Sequence, residues 1–307
     1  MRKLSPPLAL LALLFVCLSC TKTEHNDVPV VNAGNDQTIT LYVDSVTLSG
    51  SAVDNDGSVV AYLWSEVSGP ANANIINAGS ATTRVNSLVA GAYVFQLMAT
   101  DNEGATGVKT CTVLVNPPPI QTLTLQPANN PNEREIALLN GGDISQSGQP
   151  DVPVEAWTIN SQPLYIREAW KFDLSSIPKT ATVISANFYL YSYPDPTLNG
   201  NLHDANAGTA NAAWLQQIIA PWSAASATWT NQPAITTDGQ IAIAHTDQKT
   251  LDLNIDVKDM VSSMVATENN GFMMRLQNEA QYNSRIFVSS FNTTYPDKHP
   301  KLVVVYQ

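Results

Sequence analysis

The residues of this 307-residue chain best suited to chemistry are tyrosines and arginines on segments that alternate apolar with polar side chains. Across residues 186–193 one parity reads Ala186, Phe188 and Leu190, and the other reads Asn187, Tyr189, Tyr191 and Tyr193. Successive side chains of a strand point to opposite faces, so an aliphatic core face leaves three tyrosines in a row on the other. The same parity turns Ile166 and Trp170 inward and leaves Tyr165, Arg167 and Lys171 outside. Across residues 272–277 it buries Phe272, Met274 and Leu276 and sends Met273, Arg275 and Gln277 outward, while Arg285 begins another strand. Residues 121–307 hold ten Lys and Arg against seventeen Asp and Glu, so four of the ten on non-core faces, Arg167, Lys171, Arg275 and Arg285, form a candidate cluster. A tyrosine ring offers an apolar face to sugar C–H groups together with a hydroxyl, and an arginine grips a carboxylate through two parallel hydrogen bonds. Together they suit a polymer of uronic acids, provided that the strand faces converge into one groove. The plain alternative is that solubility and β-propensity place the same residues on a wet sheet face, where Tyr packs across strands on Arg without a ligand.

Other residues offer other chemistry. Trp214, Trp222 and Trp229 lie in a loop-rich stretch, and Trp157, between Pro153 and Pro163, reads as a loop aromatic open to solvent. Asp54, Asp56, Asp101 and Glu103, and further on Asp195 and Asp204, are oxygen donors near turns. A structural calcium ion is one reading of them and ordinary turn chemistry the other. The four histidines, His25, His203, His245 and His299, lie far apart and none sits in a metal-binding spacing such as HExxH. Neither a GxSxG elbow nor a phosphate-binding GxxxxGK[ST] loop occurs. A scattered lyase or hydrolase site would leave no such signature, but the expectation is a protein that is not an enzyme.

These side chains need strands to position them, and the composition agrees. Only 13% of residues are charged, where ordinary globular proteins run at roughly 25%. That argues against a charge-rich helical protein. A net charge of −11 excludes the basic footing of a nucleic-acid binder. At the start, Arg2 and Lys3 precede an apolar run from Leu8 to Leu18, too short to span a bilayer. The run ends in Cys17-Leu18-Ser19-Cys20, which resembles a bacterial lipoprotein box with Cys17 where leucine usually stands. The expectation is a signal peptide at 1–19, a lipid on Cys20 as membrane anchor, and a polar tether over 20–27. Thr21 in place of Asp at the next position argues for the outer membrane, and Lys22 and Glu24 hint at surface display. Cleavage leaves Cys111 without a disulfide partner, hence a small core residue.

Residues 28–116 show short alternating strands parted by turn signals such as Asp54-Asn55-Asp56-Gly57 and Asp101-Asn102-Glu103-Gly104. The strings VNAGNDQ from Val31, LSGSAVDNDGSVVAYLWSEVSGP and AGAYVFQLMATDNEGAT closely resemble a PKD domain, with Val53 where many such domains have a small residue. The resemblance implies a seven-strand immunoglobulin-like sandwich with Trp64 in its core, acting as a spacer or interaction module.

Pro117-Pro118-Pro119 is a stiff hinge, which puts a linker at 117–120 and a second domain at 121–307. Strand follows strand there, with one short helix in which Val257, Met260, Val261 and Met264 fall at i, i+3, i+4 and i+7 behind a cap at Asp256. The strings LTLQP, AWKFDLSSIP, ATVISANFYLYSY, WSAASATWTNQPA, LNIDVKDMVSSM, NNGFMMRL and HPKLVVVY resemble, in this order, the DNRLRE domain. That resemblance implies a jelly-roll-like sandwich related to alginate-binding carbohydrate-binding modules and to modules of polysaccharide-degrading proteins, and with it a polysaccharide ligand and a polysaccharide-degrading enzyme as neighbour. The whole chain thus reads as all-β, two β-sandwiches in tandem. Its expected function is non-catalytic polysaccharide binding at a bacterial envelope, with a structural or adhesive protein-binding role as the rival.

Overall fold

The computed structural model describes residues 25–127, 134–146, 148–200 and 202–307. The signal peptide and Cys20 lie outside the described residues. The chain divides into two compact units between Pro118 and Pro119, inside the proline run.

In the first unit the strands are β1 (Val30–Asn32), β2 (Gln37–Thr40), β3 (Val46–Ser49), β4 (Ser51–Val53), β5 (Val59–Ser68), β6 (Asn74–Ile75), β7 (Thr82–Asn86), β8 (Gly91–Asp101) and β9 (Thr106–Asn116). A four-stranded sheet ordered β2-β9-β8-β5 faces a three-stranded sheet ordered β3-β7-β6, and β1 pairs with β4 at the rim. Strand β8 shows why: Tyr93, Phe95, Leu97 and Ala99 are fully buried while the residues between them are half-exposed. Trp64 fills the centre at 2% exposure and its indole N–H donates to the Ala81 carbonyl at 3.2 Å. Apolar burial on that scale contributes roughly 1.5–3 kcal/mol per large side chain. Cys111 is buried in the same core. This is the immunoglobulin-like sandwich that the sequence implies, with two very short strands added.

The second unit is a curled sandwich. Its strands are β10 (Gln121–Leu125), β11 (Arg134–Leu139), β12 (Ile144–Gln146), β13 (Asp151–Ile159), β14 (Gln162–Lys171), β15 (Val183–Leu190), β16 (Asn206–Ala207), β17 (Ala213–Ile218), β18 (Ile235–Ile243), β19 (Leu253–Asp256), β20 (Phe272–Leu276), β21 (Asn283–Val288) and β22 (Lys301–Tyr306), with an α-helix, α1 (Lys258–Ala266), and a short 3-10 turn at Pro296–Lys298. One sheet runs β10-β22-β15-β19, and the other runs β16-β21-β13-β14-β20-β17-β18 with β11 and β12 attached through β14. Between them lie Trp170, Phe172, Phe188, Phe272, Met274 and Leu302, with Phe188 stacked on Phe272 and edge-on to Trp170 and Phe172. The helix turns Met260, Val261, Met264 and Val265 inward. Val257 occupies the N-cap position, and Asp256 just before it accepts the Lys258 amide at 3.0 Å. Gly271 sits at φ +87°, a conformation a Cβ would strain, and passes against the Trp170 carbonyl, so only glycine lets β20 start beside β14.

Candidate functional site

Strand β14 is the axis of the candidate site. Ala169 and Trp170 pair with Met273 and Phe272 of β20, and Glu168 with Met274. One residue beyond the last pair of this ladder stand Arg167 on β14 and Arg275 on β20, and Arg275 pairs directly with Trp214 of β17. Cross-strand partners share a face, so Arg167, Arg275 and Trp214 form one row over three adjacent strands. All three are half-exposed. The connection between β17 and β18 folds back over the neighbouring rows: Trp222 donates its indole N–H to the Asn270 carbonyl at 2.7 Å and packs with Met273, Ile218 and Ala169. Met273, expected outside, is therefore buried under that connection.

Arg167 is held from three sides. Its Nε and Nη2 donate to Oε1 and Oε2 of Glu279 at 2.8 and 2.9 Å, and Nη1 donates to Gln232 Oε1 at 2.9 Å. The guanidinium lies 4.5 Å from the centre of the Trp229 ring, which stacks on Tyr165 at 6.2 Å. The fork that would grip a sugar carboxylate is thus already demonstrated on a protein carboxylate, at a site where both partners keep about a fifth to a quarter of their side chains exposed. Arg275 is less committed: Nε donates to Gln216 Oε1 at 3.1 Å, and Gln216 Nε2 donates to Gln240 Oε1 at 2.7 Å. Among the described residues no carboxylate pairs with Arg275.

The other expected site residues lie elsewhere. Tyr189 on β15 and Tyr191 just past its end do point away from the core, but that strand belongs to the opposite sheet, where Lys301 Nζ lies 4.8 and 5.9 Å from their ring centres. Tyr193 packs edge-on against Tyr295. Lys171 shares the Arg167 face, yet Ala169 between them is buried beneath the Trp222 connection, and Lys171 opens into a separate hollow of about 660 Å³ with Lys179 and Trp222. Arg285 corrects the sequence reading most sharply: it is fully buried, donating through Nε to the Asn211 carbonyl at 3.0 Å and through Nη2 to that of Ala244. Burial lowers its pKa to about 10, so it stays charged. Both faces of β21 are covered, which makes parity uninformative there. The single groove of seven residues is therefore replaced by the Arg167–Arg275–Trp214 row and a separate tyrosine–lysine patch.

Trp157 is also corrected. It lies within β13 at 9% exposure, edge-on to Tyr282 at 5.2 Å. Sequence reasoning missed Glu279, Gln232 and Gln216 altogether, because nothing in a polar residue's type marks it as the partner of an arginine 112, 65 or 59 positions away. Of the calcium candidates, Asp195 pairs with His203 and Asp204 with Lys249. Asp101 Oδ1 accepts the amides of Glu103 and Ala105 at 2.9 Å, as turn chemistry expects. Among the described residues no three carboxylate, imidazole or thiol side chains converge on one point.

Comparison with known proteins follows the division of the chain. Residues 33–115 match the family described as K319L-like, PKD domain, and residues 155–306 match carbohydrate-binding module family 96. The Dyslexia-associated protein KIAA0319-like protein of Mus musculus is 39% identical over 101 residues, 32% of this chain and 10% of that protein. The Dyslexia-associated protein KIAA0319 of Homo sapiens is 37% identical over 112 residues, 34% of this chain and 10% of that protein. The chain thus spans about a tenth of the length of these curated relatives. Among solved structures, the PKD domain from KIAA 1837 protein is 35% identical, covering 29% of this chain and 86% of that one at a TM-score of 0.27.

Proposed function

We propose, for a chain that joins a PKD domain to a carbohydrate-binding module, that the second unit binds an acidic polysaccharide without cleaving it and that the first unit spaces it from a membrane. The observation that carries this reading is the row of Arg167, Arg275 and Trp214 on one face of three strands. Two guanidiniums at strand spacing match a polymer that repeats a carboxylate, and the indole offers a flat apolar surface to a pyranose ring. Contiguity matters because the chain carries a net charge of −11, and a polyanion approaches only where local positive charge outweighs that field. A glycan array with alginate and pectin fragments beside neutral glucans tests it. Preference for uronic-acid glycans that fades with added salt supports the reading, and equal signals on neutral glycans contradict it.

The anchoring part of the proposal rests on Cys20 and the apolar run before it. The wild type should partition with the envelope membrane and Cys20→Ala should leave it, whereas a wild-type protein already soluble and unlipidated by mass spectrometry would end that reading. The row Leu63, Met98 and Val108 across β5, β8 and β9 favours a second role for the PKD domain, contact with a protein partner, because Leu63 and Val108 are 46% and 55% exposed. Pull-down on the two units separately distinguishes the roles.

A further inference from the structure

Three connections of the second unit meet where β14 ends. The chain leaving Lys171 turns at once, with Asp173 Oδ1 accepting the Ser175 amide at 2.9 Å and the Ile177 amide donating to the Leu174 carbonyl at 3.0 Å, so that Phe172, Leu174 and Ile177 drop into the core. Helix α1 stops at Ala266, and the segment that returns from it to β20 is fastened to the other two connections. Asn269 Nδ2 donates to the Phe172 carbonyl at 2.5 Å, and the Trp222 indole N–H, from the β17–β18 connection, donates to the Asn270 carbonyl at 2.7 Å. Between these fastenings lies the hollow of about 660 Å³ that Lys171, Lys179 and Trp222 line. Its volume falls within the roughly 300–1,000 Å³ of small-molecule sites.

The floor of the hollow is apolar, with Phe172, Leu174, Ile177, Met264 and Val265 buried beneath it. Its charges come in matched numbers, Lys171 and Lys179 against Asp173 and Glu268. A wall without net charge gives a polyanion no local field to offset the protein's −11, unlike the Arg167–Arg275 pair, so the ligand that fits it is uncharged. The lysines donate hydrogen bonds and the carboxylates accept them. Helix α1 adds acceptors, since the last carbonyls of a helix have no intrahelical partner and Met264, Val265 and Thr267 stand at the wall. No basic residue occupies the last turn of α1, and Lys179 reaches it from the β14–β15 connection, its Nζ donating to the Thr267 carbonyl at 3.4 Å. Trp222 is half-exposed, packed through part of its ring on Met273, Ile218 and Ala169 and lining the hollow with the rest. Its N–H is committed to Asn270, so what it offers a ligand is an apolar ring surface held in place.

We propose that this hollow is a second glycan subsite, separate from the arginine row, and that it takes a neutral pyranose unit at a chain end or side branch. The hydroxyls of an uncharged sugar donate and accept at once, which matches a wall of lysine and carboxylate side chains, and the C–H face of the ring suits Trp222. The proposal rests on the second unit's being a carbohydrate-binding module and not on its binding acidic polymers. Arg167 and Lys171 stand four residues apart on one face of β14, about 13 Å, with Ala169 covered between them, so the unit holds two glycan stretches of different charge at two places.

The test is calorimetric titration of the full chain, in a detergent without a sugar headgroup, with neutral disaccharides of glucose, mannose, galactose and xylose. In about 1 M sodium chloride, where screening acts within about 3 Å, contacts with acidic glycans fade and binding of at least one neutral disaccharide should persist at millimolar concentrations. Lys179→Ala combined with Glu268→Ala leaves the net charge unchanged and alters two exposed side chains, so the melting point should stay within about 2 °C of the wild type. That variant should bind the neutral disaccharide roughly tenfold more weakly or worse, the scale of charged hydrogen bonds, and be retarded by alginate like the wild type. Neutral binding retained in Arg275→Ala while alginate binding is lost would separate the two sites. Absence of neutral binding across the panel, neutral binding unchanged in the Lys179 and Glu268 variant, or a diuronate that binds in high salt and loses affinity in that variant overturns the proposal, and none of these results touches the arginine row.

Discussion

The two faces of β14 carry opposite charge in opposite surroundings. One face presents Arg167, beside Arg275 and Trp214, half-exposed and already engaged with carboxylate, amide and aromatic partners. The other presents Glu168, fully buried with Glu135, Asp151 and Glu155 and with no cation among the described residues to balance them. Arginine keeps its charge in a partly wet site at little cost, and carboxylates withdrawn from water do not. A strand that sorts charge this way separates a positively charged, partly wet surface from a buried acidic interior, and the protein's acidic balance decides neither.

The comparison breaks most readily at the arginines. Arg285 and Arg275 sit on β21 and β20 of the same sheet, with β13 and β14 between them, but Arg285→Ala should destabilise the second unit by about 3–5 kcal/mol, because it empties a packed volume and leaves the Asn211 and Ala244 carbonyls without donors. Urea unfolding reads this directly, and a loss below 1 kcal/mol would mean that the buried arginine is no more structural than the exposed one.

Next in size is the response to pH. Burial raises Glu155 from 4.5 to about 8, Glu135 from 4.5 to about 7 and Asp151 from 3.8 to about 6, and it raises Glu168 well above its ordinary value. A carboxyl whose folded pKa lies above its unfolded value contributes stability that is complete below the unfolded value and is lost as pH rises through the folded one. The protein should therefore melt lower at about pH 8 than at about pH 5. A melting point that climbs over this interval would place the carboxylates in a different setting.

Trp214→Ala should weaken binding of uronic-acid oligomers by about 1–2 kcal/mol with little change in melting point, measured by calorimetry. The smallest effect belongs to Glu279→Gln, which loosens the partner that occupies Arg167. Its loss of stability should stay near 1 kcal/mol, and affinity for acidic glycans should rise as the guanidinium is freed. A fall in affinity would show Glu279 to be needed for orienting Arg167.

Much of this architecture was legible from residue types alone. The alternation that buries Ala186, Phe188 and Leu190 and turns Tyr189 and Tyr191 outward holds through β15 and just past it, the inward side of α1 follows equally from local pattern, and the buried place of Trp64 follows from the resemblance of its segment to a PKD domain. What parity cannot see is whether the far face of a strand is later covered. Met273 vanishes under the Trp222 connection and Arg285 under the segments carrying Asn211 and Ala244, all remote in sequence. Parity also names faces without saying which sheet they belong to, so the tyrosines and the arginines look like one surface when they lie on two. Glu168 illustrates a third limit. It occupies an inward position between Ile166 and Trp170, and only its company of three further acids, brought in from β11 and β13, makes that position meaningful.

The most direct test of polysaccharide binding at the Arg167–Arg275–Trp214 row is affinity electrophoresis in alginate-containing gels of the wild type, Arg275→Ala and Tyr191→Ala. Arg275→Ala should lose roughly 1.5–3 kcal/mol of binding, the scale of a charged hydrogen bond, and run almost unretarded, while Tyr191→Ala on the opposite sheet should be retarded like the wild type. Retardation unchanged in Arg275→Ala, or lost in Tyr191→Ala alone, would contradict the account and move the site to the tyrosine–lysine patch or off this unit altogether.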